Sequence, residues 1–131
     1  MVVYRPVKPD DYEAVQTFLA DNGWAARVSD VERFRAMLDG ADRTVVALDG
    51  VRVVGFGRAL CDGVSNGYIS MLAVDENLRR QGIGRQLVEH LIGEDVGDIT
   101  WVLRAGRDSH GFWQRLGFTT SDIAMERVRR E

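Results

Sequence analysis

The chain has 131 residues, a formal net charge of −3 and 45% hydrophobic residues, which fits one domain, residues 1–131, around a single core. That charge supplies no global field for nucleic acid, and no basic helix with interleaved aromatics takes its place. No apolar run approaches the roughly 18 residues of a membrane span, and Met1-Val2-Val3-Tyr4-Arg5-Pro6 lacks a signal-peptide core, so a cytoplasmic protein is expected.

Val2 to Val7 reads as a first strand, with Pro6 and Pro9 marking its end. Asp10 to Ala20 has helical spacing, with Tyr12, Val15, Phe18 and Leu19 on one face and Asn22-Gly23 as the stop. Ser29-Asp30-Val31-Glu32 is a capping-box pattern, and the helix after it presents Val31, Phe34 and Leu38 before Gly40. Thr44–Leu48 and Val51–Cys61 read as strands joined at Asp49-Gly50, a hairpin signal because both residues tolerate positive φ. Tyr68–Val74 is too apolar to have one wet face, which predicts a central strand. Gly84–Ile92 is a helix with Leu87, Val88, Leu91 and Ile92 inward; Ile99–Arg104 is the next strand. Ser109–Leu116 is a short helix ended by Gly117, and Phe118–Val128 returns as one strand or a broken pair. The strand–helix–strand passage from Tyr68 to Arg104 implies a parallel pair with a right-handed crossover. The fold class is therefore α/β (α+β): a mixed central sheet with helices on both faces. Cys61 is the only cysteine, so no intrachain disulfide forms, and a small buried residue is its plain reading.

Three features coincide after Val74. Gly82 and Gly84 sit where a helix starts, where glycine lets backbone N–H groups approach a ligand closely. The free N–H groups of a helix N-terminus form an anion site. The charges are reversed for a self-sufficient helix: Arg79, Arg80 and Arg85 crowd its positive end, while Glu89, Glu94 and Asp95 lie in its middle and beyond. A bound anion reverses that cost. Neither G-x-x-x-x-G-K-[ST] nor a G-x-G-x-x-G after the first strand occurs, which excludes two other phosphate loops.

Tyr68-Ile69-Ser70-Met71-Leu72-Ala73-Val74-Asp75, followed by Arg79-x-x-Gly82-x-Gly84, resembles the acetyl-CoA motif of the GNAT superfamily of N-acetyltransferases. Phe112-Trp113-Gln114-Arg115-Leu116-Gly117-Phe118 resembles its second motif, and the element order is similar over essentially the whole chain. The resemblance implies an acyltransferase that moves acetyl from acetyl-CoA, as cosubstrate and without a metal, to a primary amine of a small molecule or peptide. Backbone N–H groups of Gln81, Gly82, Ile83, Gly84 and Arg85 would grip the pyrophosphate, with Arg79, Arg80 and Arg85 side chains beside it. Leu72, Ala73 and Val74 would pair with the pantetheine amides. The Leu72 N–H would face the thioester oxygen and stabilise the oxyanion. Ser109, Phe112 and Trp113 would line the coenzyme from the other side. No nucleic acid or membrane partner is implied, and a homodimer stays open.

The chain departs from the family where protons move. The usual Tyr of the second motif is Trp113, whose indole donates but is no acid at neutral pH. The usual Glu at the start of the central strand is Tyr68. Tyr68 has two readings, a donor or relay through water and a packing side chain. His110 and Cys61 are further proton donors by residue type alone, and His90 lies within the crossover helix. A thiolate is a tolerable leaving group, so transfer without a dedicated acid is consistent with chemistry. On the acceptor side, Trp24, Arg27 and Tyr68 either line a pocket or, for Trp24, cap the core. An acyl-CoA-binding sensor with the fold but no turnover is the competing reading.

Overall fold

The computed structural model describes residues 1–94 and 97–130, so Asp95 lies outside the described residues. Five strands, β1 (Val2–Arg5), β2 (Arg43–Asp49), β3 (Arg52–Cys61), β4 (Asn66–Val74) and β5 (Thr100–Leu103), form one sheet in sequence order. β1 to β4 are antiparallel neighbours, while β5 runs parallel to β4. The helices are α1 (Tyr12–Leu19), α2 (Ala25–Val28), α3 (Val31–Asp39), α4 (Ile83–Ile92) and α5 (His110–Arg115). The expected mixed sheet with helices on both faces is thus present. α1 to α3 bury Tyr12, Val15, Phe18, Val28, Phe34 and Leu38 against one face. α4 buries Ile83, Leu87, Val88 and Leu91 against the other, where Trp113 of α5 joins them.

Close approach of α4 to the sheet depends on small residues in β3. A Cβ on Gly57 would lie 2.8 Å from Leu91 and one on Gly55 3.0 Å from Leu87, so only glycine lets these leucines descend onto the strand. Arg43 of β2 ties down the other end of α4. Its Nη1 donates to the Leu91 and Ile92 carbonyls at 2.8 and 2.9 Å, satisfying terminal acceptors and complementing the negative helix end. The same guanidinium sits 5.4 Å from the centre of the Trp101 ring. Trp101 in turn covers Gly67, its cross-strand partner, where a Cβ would meet the indole at 2.4 Å.

Several expectations change. The first helix is shorter, preceded by a 3-10 turn at Pro9–Asp11 that Arg5 holds through Asp11 at 2.7 Å. That guanidinium holds the Asp11 carboxyl below its ordinary value. Asn22-Gly23 does stop the first helix, with Asn22 at φ −122° and Gly23 at φ 95°; the unexpected element is a second short helix, α2, which starts directly after the break. The cap of α3 is Asp30, not Ser29. Asp30 accepts from the Arg33 N–H at 3.0 Å, whereas the Ser29 hydroxyl turns back to the Ala26 carbonyl. Val31 consequently sits at the exposed start of α3, 52% accessible. Residues 119–130 form no strand, and Ile123 and Met125 are 90% and 97% exposed. Apolar alternation makes a strand only where an edge is bonded; the link recorded here between this segment and the end of β5 is the Arg104–Glu126 pair at 2.9 Å. Among the described residues no helix is long and apolar enough to cross a membrane.

Gly67→Ala should lower the unfolding free energy by about 1–3 kcal/mol, because the new methyl displaces Trp101 and through it the Arg43 cap. Denaturant titration of the two proteins measures this, and unchanged stability would show that the indole has another place to go.

Candidate active site

Two irregularities in β4 create the site. Arg58 pairs with Met71 and Ala59 with Ile69, so Ser70 has no partner on β3. One extra residue reverses the alternation of side chains along a strand. Ile69 accordingly packs in the α4 cluster, whereas Met71 and Ala73 pack in the α1–α3 cluster. On the other edge, β5 pairs only with Asn66–Ile69, leaving Ser70–Val74 without a strand partner there. The two strands part at the bulge.

A cleft of about 1330 Å³ runs through the gap. Leu72, Ala73 and Val74 line it along the open edge of β4. Arg79, Arg80, Gly82, Ile83, Gly84 and Arg85 line it at the start of α4. Ser109, Phe112 and Trp113 line it from α5, and Trp24, Arg27, Tyr68 and Ser70 from the α1–α3 side. Every expected site residue except Gln81 therefore borders one cleft; Gln81 is exposed and is not part of the lining. Three neighbours that sequence reading passed over also border it: Asn22, Leu78 and Arg107. Asn22 carried a signal only as a helix stop. Its side chain accepts from the Glu76 N–H at 3.1 Å and donates to the Phe18 carbonyl at 2.8 Å, linking the bend after α1 to the turn after β4.

The loop from Val74 to α4 is held in shape by Asp75, the one buried charged residue among the described residues. It accepts from Arg52 and, at 2.9 Å, from the Asn77 N–H, fixing the turn Glu76–Leu78. Beyond it, Arg80 has φ 66° and Gly82 φ 86°. A non-glycine residue in that region stores strain, which marks a backbone shaped for something other than local comfort. Gly82 caps α4, and the first N–H to find an intrahelical carbonyl is that of Gln86, on Gly82. The N–H groups of Ile83, Gly84 and Arg85 precede it and are the free donors of the helix start. Gly84 has a second reason to be glycine: a Cβ there would lie 3.0 Å from the Phe112 ring, so α5 packs directly on the first turn of α4.

The cleft is strongly cationic. Its lining holds seven arginines and one acid, Asp108, in a chain of net charge −3. Arg85 has a partner of sorts, Glu89 at 4.0 Å on the same exposed helix face, and Arg104 meets Glu126. Arg79 and Arg80 have no carboxylate within salt-bridge distance among the described residues. The charge reversal at α4 thus persists in the fold, and a phosphate-bearing ligand fits this cradle of free N–H groups and guanidinia. Among the described residues no group of three or more His, Cys, Asp or Glu is placed to hold a metal ion.

The proton-transfer candidates fall in different places. Trp113 is 7% exposed, edge-on to both Phe112 and Phe118, so it fills core space while one side borders the cleft. Tyr68 is half-buried and borders the cleft. His110 and Cys61 do not border it. His90 stacks on Tyr4 of β1 at 5.2 Å, on the far side of α4. Behind the cleft, Arg58 donates to the Met37 carbonyl at 3.1 Å and to the Ser70 hydroxyl. Burial holds its guanidinium below the ordinary value, against the opposing pull of Tyr68 and Asp42.

Residues 40–120 match the acetyltransferase (GNAT) domain family, more than half of the chain. No curated protein matches the chain. Among solved structures, a GNAT-family acetyltransferase from Streptococcus pneumoniae is similar at 25% identity over 100% of both chains, with a TM-score of 0.78. A GNAT-family protein from Xanthomonas campestris pv. campestris shares the fold at 21% identity and TM-score 0.80, over 98% of this chain and 94% of its own. A ribosomal-protein-alanine N-acetyltransferase from Brucella melitensis shares it at 20% identity and TM-score 0.76, over 99% of this chain and 100% of its own.

Acetyl-CoA at about 100 times its dissociation constant should stabilise the protein by about 2.7 kcal/mol. Gly84→Leu should remove that stabilisation, because the new side chain must displace Phe112 from the helix start. A thermal-shift series with acetyl-CoA, CoA and free nucleotides checks both, and an undiminished shift in the variant would exclude the α4 terminus as the phosphate grip.

Proposed function

The chain belongs to the GNAT family of acetyltransferases, and from that premise we propose that it transfers acetyl from acetyl-CoA to a primary amine of a small molecule or peptide, in the cytoplasm, as one domain of residues 1–131. The observation that carries this reading is the convergence of an unpaired strand edge and an unpaired helix start on one cleft. An extended pantetheine arm offers amides to the first, and a pyrophosphate offers charge to the second.

Acetyl-CoA supplies an activated acyl thioester. The chain's residues bind and orient it. Gly82, Ile83, Gly84 and Arg85 hold the pyrophosphate by backbone N–H groups, with Gln81 beginning that loop, and Arg79, Arg80 and Arg85 add charge. Leu72, Ala73 and Val74 pair with the arm, as β5 does with β4 before the bulge. Ser109, Phe112 and Trp113 wall the opposite side. The Leu72 N–H is assigned to the thioester oxygen, where losing one such donor costs on the order of 3 kcal/mol in comparable sites. The amine enters from the Trp24 side and attacks directly in a ternary complex; the carbonyl carbon gains the nitrogen and releases the thiolate, and the nitrogen gives up one proton to solvent.

No residue at the cleft matches the family's usual acid. Trp113 is buried and its N–H stays on the ring at neutral pH. The thiolate therefore leaves with solvent as its proton source. A second reading, an acyl-CoA-binding sensor, is favoured by this same pair of residues, Trp113 and Tyr68. Release of free thiol from acetyl-CoA across an amine panel separates the two, and tight binding with no release on any amine would establish the sensor.

Tyr68→Phe and His110→Ala should each reduce turnover by less than about tenfold, short of a typical acid–base contribution. A loss above roughly a hundredfold in either would identify the missing proton carrier.

A further inference from the structure

We propose that the acceptor amine carries a carboxylate close to its nitrogen, held at the Trp24 end of the cleft by Arg27; this rests on the transfer reading above. Three observations lead there. First, the α1–α3 side of the cleft contributes Asn22, Trp24, Arg27, Tyr68 and Ser70, which include one cation and no acid. Second, Arg27 is preset: its guanidinium lies over the Trp24 ring, 5.7 Å from the centre, and the salt bridges among the described residues do not include it. A stacked guanidinium keeps its in-plane N–H donors free, and those donors match a carboxylate. Third, a second positive charge stands one hydroxyl behind the wall. Arg58 reaches Ser70, has only neutral hydrogen-bond partners in Met37 and Ser70, and is half-buried. Its nearest acid in effect, Asp42, is engaged by the Cys61 N–H at 2.7 Å.

The coenzyme does not account for these charges. In the transfer reading its phosphates go to Arg79, Arg80 and the start of α4, whereas Arg27 stacks on Trp24 and Arg58 reaches the Met37 carbonyl of α3. A purely cationic acceptor, such as a diamine, would enter a wall with no counter-charge. An acceptor with a carboxylate neutralises Arg27. The same two guanidinia disfavour a further positive charge on the acceptor nitrogen, so they favour the free amine, the form that attacks. The proton that the nitrogen loses on attack goes to solvent, because a positive wall accepts none; Tyr68 and Asp42 are the other titratable groups beside Arg58.

The test compares free amino acids and an acidic dipeptide with their methyl esters and with putrescine, by thiol release from acetyl-CoA. The carboxylate forms should exceed their esters in kcat/KM by about tenfold or more, the value of a charge-assisted hydrogen bond. Arg27→Gln should bring that ratio near one while leaving acetyl-CoA affinity, measured by calorimetry, unchanged. Preference for the free amino acid over the dipeptide, or the reverse, identifies the source of the carboxylate. Faster transfer to esters or putrescine, or an undiminished ratio in Arg27→Gln, overturns the inference while transfer itself stands. Acetyl-CoA binding without thiol release on any amine overturns the transfer reading, and this inference with it.

Discussion

Between Ile69 and Met71 the β4 chain carries one residue, Ser70, that β3 does not match, and at the same point β5 ends its pairing. A sheet interior normally satisfies both edges of every strand, because an unbonded backbone group away from water is costly. Here one helical layer frames the opening: α4 is seated on Gly55 and Gly57 of β3, and α5 packs through Phe112 on Gly84. Neither helix can close over the opening without losing its seat, so the cleft is a consequence of core packing.

Much of this was legible in the sequence. The hairpin, the inward face of α4 and the loop of Arg79 to Gly84 all have local causes, in turn chemistry, helical period and charge placement, although the turn itself falls one residue later than Asp49-Gly50: Asp49 still pairs with Arg52 in the ladder, and Gly50-Val51 makes the corner with positive φ at Gly50 alone. What escaped reading has non-local causes. The bulge at Ser70 leaves no mark in the string, because the run Tyr68–Val74 is apolar on both faces and alternation cannot reveal a slip in it. Asn22-Gly23 stops α1 as its residues imply, but the four-residue α2 beyond it is too short to show a helical period in the string. Asp30 takes the cap from Ser29 by a one-residue difference in where the chain leaves extended geometry. The segment after Gly117 has strand-like composition without a strand. The second role of Gly84, under the Phe112 ring, depends on a helix 26 positions away by chain order.

Charge is distributed with similar economy. The cleft gathers seven arginines, while a neighbouring groove of about 720 Å³ beside α1 is lined by Asp10, Glu13, Asp21 and Glu76. Asn22 borders both. Opposite potentials on adjoining surfaces, set in a chain of modest net charge, orient an approaching polyanion toward one opening.

The side-chain reversal at Ser70 also bears on how such a protein diverges. On either side of that residue, β4 shows different faces to the two helical layers, with Ile69 in the α4 cluster and Met71 and Ala73 in the α1–α3 cluster. Trp24 immediately precedes the short α2 and packs against the α1–α3 core, and Arg27 of α2 lies over its ring. Exchange of either changes one end of the cleft and leaves both faces of β4 as they are. A single deletion in β4, by contrast, turns every following side chain over and loses both at once.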